Sequence, residues 1–253
     1  MTVIRRIANR FLRAVGLKII PLRHDELHYQ YDYAGGFAAY RETQIRWNKA
    51  KLDWVWADPL TLEQIASDIE RHALKTGICH GARNGFEVKW FRERLKTDVI
   101  GTDISETATE FPDMVVHDFH EARADWVGKF DFVYTNSLDQ AFDPERALNA
   151  WADQLTSNGR IYIEHTLTGH SAAGASEMDP FGAHPMIMPY LLFEWGRGKY
   201  QLADILHTDG VSNVWDGKEA PKGHVWIFVL GKAGDEASSE RRERSRQFEL
   251  QSS

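Results

Sequence analysis

The chain has a single cysteine, Cys79, among its 253 residues. One cysteine excludes a framework of internal disulfides and any zinc site built from several cysteines. It also fits a reducing compartment, so we expect a cytoplasmic protein. No apolar run approaches the roughly 20 residues that a membrane-spanning helix needs. Arginines interrupt each apolar stretch near the N-terminus that could serve as the core of a signal peptide.

Positive charge is scarce, and its distribution is uneven. The formal net charge of −7 at pH 7 argues against general binding to nucleic-acid phosphates. Residues 1–24 are the exception, because they contain six Lys and Arg side chains and no acid. Along a helix their arginines fall on one face, and the opposite face collects Ile4, Ile7, Ala8, Phe11, Leu12 and Val15. This pattern predicts a basic amphipathic helix that stops near Gly16.

Such a helix has two interpretations, and the sequence leaves both open. Residues 1–16 could lie on an anionic membrane surface, which would make the protein peripheral to the inner membrane. Alternatively the helix docks on its own domain or on a second copy of the chain, as in a homodimer. At the other end, residues 233–253 mix charges of both signs with almost nothing to bury, which predicts a charged flexible tail.

Residues 25–75 are rich in aromatic side chains and predict a helical extension that caps the following domain. We expect one helix over 36–56. Thr61, with Gln64 three residues later, has the pattern of a capping box and predicts a second helix over about 62–73.

Seven short apolar runs follow, with helical segments at about 86–96 and 144–156. The runs are TGICHG, DVIGTD, MVVHD, FDFVYTN, RIYIEHT, YQLADILH and HVWIFVLGK. Strands that alternate with helices predict an α/β domain over 76–232, with a mostly parallel sheet covered on both faces. The link between the second and third runs is too short for a full helix. In such a sheet, ligands bind beyond the carboxyl ends of the strands.

Four of these strand ends carry chemically suggestive residues, in HGARNG, GTDIS, HDFHE and TNSLDQ. The first predicts a turn into a helix N-terminus, whose free N–H groups favour a negative ligand group. Asp103 follows Gly85 by 18 residues, where an acid can bind a ribose diol. Asp118 offers an acceptor for an exocyclic amine, and Phe119 offers an apolar face for a flat ring. The fourth strand end supplies Asn136, Ser137 and Asp139.

From about Thr76 to Lys232 the chain resembles the class I S-adenosylmethionine-dependent methyltransferases, with motifs like those of type 11. The clearest likeness is FDFVYTNSLDQAFDPERALNAWADQLTSNGRIYIEH, which is similar to the family's fourth strand, the next helix and the turn into the fifth strand. The resemblance implies a Rossmann-like fold with a mostly parallel seven-stranded sheet, a closing antiparallel hairpin and N-terminal helices. It also implies S-adenosyl-L-methionine as cofactor, bound by Gly81, Ala82, Arg83, Gly85, Asp103, Ile104, Asp118 and Phe119, to which we add Asn136 and Ser137.

Two residues depart from the family pattern. Cys79 stands where the family usually has an acid, and Arg83 stands where it has a middle glycine. We expect the Arg83 guanidinium to pair with the carboxylate of the cofactor's methionine part. The ammonium of that part then needs another partner, for which Glu87 is a candidate, although Glu87 could equally be an acid that favours the first turn of a helix.

A dinucleotide-binding dehydrogenase is the competing interpretation of these strand ends. The motif G-x-G-x-x-G is absent, and the HDF strand end follows Asp103 too soon for the usual helix. The last two apolar runs also resemble the closing hairpin of methyltransferases. We therefore favour the methyltransferase fold.

The residues near the expected position of the methyl group predict the type of methyl transfer. No Asn/Asp-Pro-Pro-aromatic stretch follows the fourth strand, which disfavours methylation of DNA-base amines. Asp139 and His165 are the predicted catalytic residues, as a base or partner of an acceptor hydroxyl. As alternatives, Asp139 could cap the helix starting near Asp143, and His165 could bond within the rim.

The acceptor pocket is assigned to a long insertion over 166–186, which we expect to act as a lid. Its predicted substrate-binding residues, with two tyrosines of the extension, are His170, Asp179, His184, Tyr33 and Tyr40. His165, His170, Glu177, Asp179 and His184 could also hold a metal, but their spacing matches no defined motif, so we expect none.

The sequence therefore predicts an S-adenosylmethionine-dependent O-methyltransferase. Its expected acceptor is a saccharide or glycan, of cell-surface or lipid-linked type as in polysaccharide biosynthesis, or another small-molecule hydroxyl. Two alternatives stay open: methylation of a nitrogen or carboxylate of a small metabolite, and a cofactor-binding subunit without catalysis.

Overall fold

A computed structural model of the chain describes residues 27–167, 169–210, 213–215, 218–220 and 223–233. The predicted helix over 1–24 and nearly all of the predicted tail over 233–253 lie outside these residues. No helix in the described part has the length and apolarity needed to span a bilayer.

Eleven strands are described along the chain. They are β1 (His28–Gln30), β2 (Thr76–His80), β3 (Asp98–Asp103), β4 (Met114–Val116), β5 (Phe130–Thr135), β6 (Leu155–Thr166), β7 (Phe181–Ala183), β8 (Tyr200–Gly210), β9 (Asn213–Trp215), β10 (Lys218–Ala220) and β11 (Gly223–Lys232). Seven of them form one sheet in the order β4-β3-β2-β5-β6-β11-β8. Strands β4 to β6 in that order are parallel, and β11 pairs antiparallel with both β6 and β8. The seven predicted strands and the closing antiparallel hairpin are confirmed.

Five α-helices lie within the described residues. They are α1 (Gly36–Ala50), α2 (Pro59–Arg71), α3 (Phe86–Leu95), α4 (Pro144–Gln154) and α5 (Met188–Gly196). Helix α1 ends six residues before its predicted end, and α5 was not predicted. The short link between β3 and β4 contains only a 3-10 turn, Glu106–Glu110.

The helices cover both faces of the sheet, as the uniformly apolar strands predict. On one face, α4 and α5 bury Leu148, Trp151 and Leu192 against the sheet. On the other face, α2 and α3 bury Ile65 and Phe91. The core therefore consists of two layers, one on each face of the sheet. The carboxyl ends of β2, β3, β4 and β5 lie together at one edge of the sheet.

Helix α2 begins earlier than the sequence suggested. Its N-cap is Asp58, whose Oδ1 accepts a hydrogen bond from the backbone N–H of Thr61 at 3.0 Å. Pro59 occupies the first helical position, where its fixed φ and missing N–H cost nothing. The predicted cap at Thr61 is therefore wrong, because Asp58 already satisfies the free N–H groups that a Thr61 cap would serve.

A small second sheet ties the N-terminal extension to the insertion. Strand β1 pairs antiparallel with β7, with His28 opposite Ala183. The N–H of Tyr31 donates to the carbonyl of Pro180 at 2.6 Å. The side-chain amide of Gln44, on α1, donates to the carbonyl of Met178 at 3.0 Å. The insertion is thus held against the extension over the carboxyl edge of the main sheet.

His80, the last residue of β2, is buried as a neutral ring. Its Nδ1 lies 2.8 Å from the Thr102 hydroxyl, its Nε2 lies 2.9 Å from the Gln154 side-chain oxygen, and the ring stacks on Trp151. Burial lowers the pKa of His80 to about 3 and that of His165 to about 4. In the folded state both imidazoles therefore stay uncharged in mild acid.

We expect the fold to lose stability as the pH falls below the unfolded-state histidine pKa of about 6.5. The unfolded chain then binds protons that the folded His80 and His165 do not, until the pH approaches their folded pKa values. Each histidine should lower the free energy of unfolding by about 2 kcal/mol between about pH 7 and pH 5. Urea unfolding at the two pH values measures this loss. A His80→Gln variant should show a smaller one, and equal stability of the wild type at both pH values would contradict the assignment.

Candidate functional site

The loop after β2 turns the chain back over the end of β3. Gly81 has a φ of 71°, and a Cβ there would lie 2.6 Å from the Cβ of Ser137, so the turn requires glycine. The N–H of Ala82 donates to the carbonyl of Thr102, and the N–H of Arg83 donates to Asp103 Oδ2 at 3.1 Å. The ends of β2 and β3, two of the four strand ends that the sequence singled out, are therefore joined directly by hydrogen bonds.

Asp103 is held at the end of β3 by backbone groups on both sides. Its Oδ1 accepts from the N–H of Ser105 at 3.0 Å, while its Oδ2 accepts from Arg83. Asp103 is buried, yet it borders a cavity at the carboxyl edge of the sheet. Its carboxylate is therefore oriented before any ligand arrives.

That cavity, here called the strand-end cleft, brings together most of the predicted cofactor residues. Six of them line it: Gly81, Arg83, Asp103, Ile104, Asp118 and Phe119. The opposite wall comes from α1 and the residue after it, the turn after β5 and the insertion, with Tyr40, Gln44, Trp47, Asn48, Lys51, Gln140, Met178 and Asp179. Tyr40 thus lies in this cleft, where it faces the predicted cofactor residues.

Asp118 is fixed by a histidine that the sequence reasoning missed. Nε2 of His120 accepts from the N–H of Phe142 at 3.1 Å, so the neutral ring carries its hydrogen on Nδ1. That nitrogen lies 2.6 Å from Asp118 Oδ1. His120 also packs edge-on against Tyr40. The spacing Asp-x-His was visible in the sequence, but nothing there indicated that His120 was buried.

Arg83 is half-buried, and its guanidinium bonds the segment that follows α1. One guanidinium nitrogen, Nη1, donates to the carbonyl of Trp54 at 3.1 Å. The neighbouring Asn84 side chain donates to the carbonyl of Leu52 at 2.8 Å. Two bonds therefore attach the loop after β2 to residues 52–54, which follow α1.

Glu87, in the first turn of α3, is buried beside this loop. Its Oε1 accepts from the Asn136 side chain at 3.1 Å, and its Oε2 has no hydrogen-bond partner among the described residues. Burial raises the pKa of Glu87 to about 7. Glu87 lines a small recess, here called the Glu87 recess, together with Gly81, Ala82, Arg83, Trp54 and Asn136. A buried carboxylate oxygen without a partner is costly, so this oxygen has the capacity to accept a hydrogen bond from a cationic or donor group.

Gly85 plays a different part from the one predicted. It caps α3 with a φ of 71°, and a Cβ there would lie 3.1 Å from the side chain of Met114. It borders a groove on the far side of the loop, with Phe86 and Phe111. Gly85 borders neither the strand-end cleft nor the Glu87 recess, so its conformation and packing explain the glycine, and its contact with the cofactor stays a prediction.

A second cavity, here called the tryptophan cavity, adjoins the strand-end cleft and has a volume of about 410 Å³. The two share Trp47, Lys51, Arg83, Gln140, Met178 and Asp179. The remaining wall consists of Trp54, Val55, Trp56, Asn136, Ser137, Asp139, Gly169, His170 and Gly174. Its size is in the range of small-molecule sites, and three indole rings give it large apolar faces.

His170 and Asp139 form a buried pair on the wall of the tryptophan cavity. Nδ1 of His170 accepts from the N–H of Thr166 at 3.1 Å, so the neutral ring carries its hydrogen on Nε2. That nitrogen lies 3.6 Å from Asp139 Oδ2. His170 therefore offers a proton toward Asp139 and is poorly placed to remove one from a ligand.

Asp139 keeps one carboxylate oxygen available. Its Oδ1 is buried and has no hydrogen-bond partner among the described residues. Burial and the nearby carboxylate of Asp179 raise the pKa of Asp139 well above its usual range, while Lys51 opposes that rise. The N-cap of α4 is Asp143, whose Oδ1 accepts from the Arg146 N–H. Asp139 is thus not needed as a cap.

Three predicted site residues serve the scaffold. Nε2 of His165 bonds the carbonyl of Ala183 at 2.9 Å, so His170, and not His165, stands beside Asp139. The hydroxyl of Tyr33 donates to the carbonyl of Glu177 at 2.5 Å, which ties the extension to the insertion. His184 Nδ1 accepts from the Met186 N–H in the turn after β7. None of the three borders the strand-end cleft or the tryptophan cavity.

No group of three or more His, Cys, Asp or Glu side chains within the described residues is arranged to hold a metal ion. His165 and His170 lie side by side, with ring centroids 5.3 Å apart, but the Nε2 of His165 bonds the Ala183 carbonyl while that of His170 faces Asp139.

Comparisons with known proteins identify the fold. No family model matches the chain, and no curated protein matches it in sequence. Among solved structures, a 1,6-didemethyltoxoflavin-N1-methyltransferase from Burkholderia thailandensis, with its substrate and S-adenosylhomocysteine bound, has a TM-score of 0.56 at 16% identity, covering 78% of this chain and 88% of that one. A proposed sarcosine dimethylglycine methyltransferase from Galdieria sulphuraria has a TM-score of 0.51 at 12% identity, covering 68% and 85%. The predicted Rossmann-like fold of class I methyltransferases is therefore confirmed.

Proposed function

We propose that this chain is an S-adenosylmethionine-dependent methyltransferase that methylates a hydroxyl group. The observation that carries the proposal is the pair of adjoining cavities. One is lined by the strand-end residues that suit the cofactor, and the other contains a buried acid with an available oxygen. Methyl transfer between two bound molecules requires that their cavities adjoin, since the acceptor atom must stand in line with the methyl group.

The strand-end cleft suits the nucleoside of S-adenosylmethionine. Asp103, oriented by two backbone N–H groups, can accept hydrogen bonds from the ribose hydroxyls. Ile104 and Phe119 supply apolar surface for the adenine, and Asp118 supplies an acceptor for its amine. When bound, the cofactor supplies an electrophilic methyl group on a sulfonium.

The Glu87 recess suits the methionine part. Cys79 is fully buried and does not border the recess, so it cannot replace the family's acid there. The available oxygen of Glu87 can take the cofactor's ammonium. The Arg83 guanidinium, in the same recess, can take its carboxylate. Glu87 thus takes the place of the acid that is missing at Cys79, and Arg83 supplies a partner for the carboxylate.

Asp139 is the group placed to remove the acceptor's proton. The carboxylate of Asp139 would accept the proton of the acceptor hydroxyl, whose oxygen would take the methyl group that the bound cofactor would supply. The Nε2–H of His170 lies 3.6 Å from the other carboxylate oxygen, Oδ2, and faces it. His170 is therefore a positioning residue in this scheme.

A saccharide is the acceptor class that best suits the tryptophan cavity. Indole faces pack well against sugar rings, and Asp179, Gln140 and Lys51 provide partners for several hydroxyls. A cell-surface or lipid-linked glycan would carry such rings. The two alternative functions explain less of the site. Methylation of a small-molecule nitrogen or carboxylate would need no base such as Asp139, and a cofactor-binding subunit without catalysis would need no second cavity.

Titration calorimetry tests the cofactor site. S-adenosylmethionine should bind the wild-type protein, and Asp103→Ala should weaken binding by roughly tenfold or more, because two ribose hydrogen bonds are lost. Asp98→Ala, an exposed change at the other end of the same strand, is the matched control. Absence of binding, or equal binding by both variants, would rule out this site. Product masses after incubation with nucleotide sugars, glycans and small metabolites would then identify the acceptor.

A further inference from the structure

Lys51 is held between two indole rings at the wall that the two cavities share. It follows the last residue of α1, and its backbone N–H donates to the carbonyl of Trp47 at 3.0 Å. The N–H of Trp54 donates in turn to the Lys51 carbonyl at 2.9 Å. The Lys51 Nζ lies over both rings, 5.4 Å from the centroid of Trp47 and 5.4 Å from that of Trp54, which is within reach of a cation–π contact. A cation of the chain itself therefore occupies the place between the two aromatic faces.

The backbone on both sides of Lys51 is anchored. Helix α1 precedes it, and the carbonyls of Leu52 and Trp54 accept hydrogen bonds from Asn84 and Arg83 in the loop after β2. The Lys51 side chain is half-buried, and its ammonium has no hydrogen-bond or ion-pair partner within the described residues. The three N–H groups of this ammonium therefore remain available to a ligand at the wall between the two cavities.

Two acids on the wall of the tryptophan cavity would make it suitable for a cationic ligand if Lys51 were absent. Asp139 and Asp179 both border this cavity, together with the indole rings. Aromatic faces recognise quaternary ammonium groups, and carboxylates attract them. The charge of Lys51 reaches both acids, because it opposes the rise in the pKa of each. Lys51 therefore supplies inside the cavity the positive charge that a cationic ligand would otherwise bring.

We propose that Lys51 is a specificity-determining residue, which keeps positively charged acceptors out of the tryptophan cavity and donates hydrogen bonds to the oxygens of uncharged ones. This inference rests on the proposed function, which assigns the tryptophan cavity to the acceptor. It narrows the acceptor class to molecules without an ammonium group, such as a neutral saccharide. A protonated amine is excluded, because it would meet the like charge of Lys51 in a place that the lysine already fills.

Choline, whose trimethylammonium group is a permanent cation, tests the exclusion. Saturation-transfer NMR on its N-methyl signal measures binding to the full-length protein, with S-adenosylhomocysteine present to fill the strand-end cleft and the Glu87 recess. Lys51→Ala should bind choline at least about tenfold more tightly than the wild type, because both indole faces become available to the ligand. Lys51→Arg keeps the positive charge and should bind choline as weakly as the wild type.

Lys49→Ala is the matched control for the loss of a lysine. Lys49 lies two residues before Lys51, pairs with Glu106 and borders neither cavity. Its choline binding should equal that of the wild type. The Lys51→Ala/Trp54→Ala double variant should lose the gained binding, because one of the two aromatic faces is removed. Circular dichroism shows whether each variant is folded.

Three results would overturn the proposal. The first is equal choline binding by the wild type and Lys51→Ala, and the second is no binding by a folded Lys51→Ala. The third is a gain that survives Trp54→Ala, which would place the cation elsewhere. Calorimetry with S-adenosylhomocysteine tests the proposed function separately. If the wild type does not bind S-adenosylhomocysteine, the proposed function fails, and the choline measurement without it still decides whether Lys51 excludes cations from the cavity.

Discussion

Glu87→Gln should weaken the binding of S-adenosylmethionine by at least about a hundredfold at pH 8, because a buried ammonium would lose its charged partner. The wild-type recess offers Glu87 Oε2, which is buried and has no hydrogen-bond partner among the described residues. Glutamine keeps the size of the side chain and its contact with Asn136 but removes the negative charge. Calorimetry at one pH measures the difference.

The pH dependence of binding gives a second readout of the same carboxylate. Burial raises the pKa of unliganded Glu87 to about 7, so below that pH the group is mostly protonated. An ammonium stabilises the ionised form, and binding must then release a proton. Affinity should therefore rise with pH, by up to about tenfold per unit below pH 7, and level off above it.

Neighbouring side chains influence the charge of Glu87, and a suitable control is an acid on the same helix that lies outside the recess. Arg83 and Asn136 favour its charged form, while Glu164 opposes it. Glu93→Gln, an exposed change on the same helix, should leave both the affinity and its pH dependence unchanged. If Glu87→Gln binds S-adenosylmethionine like the wild type, or if wild-type affinity is flat between about pH 6 and pH 8, the assignment of the recess is wrong.

Asp139→Asn should lower kcat by about 10² to 10⁴ while leaving the Kd of S-adenosylmethionine unchanged, since a positioned base contributes that much to proton transfer. Asparagine preserves the shape of the side chain but accepts a proton poorly. In the wild type, kcat should rise with pH through the raised pKa of Asp139, because the ionised form is the active one. The variant should lack that rise.

Asp143→Asn is the matched control for this change. It alters an acid four residues along the chain that caps α4, and asparagine is an equally good cap. Its kcat should remain close to that of the wild type. If Asp139→Asn keeps kcat within about threefold, the acceptor needs no base, and methylation of an amine or carboxylate becomes the better interpretation.

Much of the cofactor site was readable from the sequence because topology brings strand ends together. Once alternating strands and helices were recognised, Gly81, Asp103 and Asp118 had to share the carboxyl edge of the sheet. Gly85 shows the limit of this reasoning. Its place in the motif suggested a ligand contact, but its positive φ and its contact with Met114 depend on how α3 packs.

The histidine that stands beside Asp139 could not be chosen from the sequence. Strand β6 is buried on both faces, so alternation of polar and apolar residues does not show which way His165 points. His170 follows the strand in a turn, and only the bond from the Thr166 N–H determines its tautomer and aims it at Asp139.

Part of the wall of the tryptophan cavity was missed for a related reason. Lys51, Trp54 and Trp56 lie in a segment that the helical pattern absorbed, although α1 ends at Ala50. Their position depends on bonds to the loop after β2, made by Arg83 and Asn84. Such contacts join residues about 30 positions apart and have no periodic signature.

The sequence by itself predicted the seven strands, the mostly parallel sheet and its closing hairpin, because hydrophobic periodicity acts locally and the resemblance to methyltransferases completes the pattern. The tertiary structure alone decided which polar groups are buried without partners. Glu87 and Asp139 read as ordinary acids in the sequence, and packing around them raises their pKa values and leaves an oxygen of each available. Desolvation depends on the surroundings of a side chain in three dimensions, and so does the chemistry that we assign to these two residues.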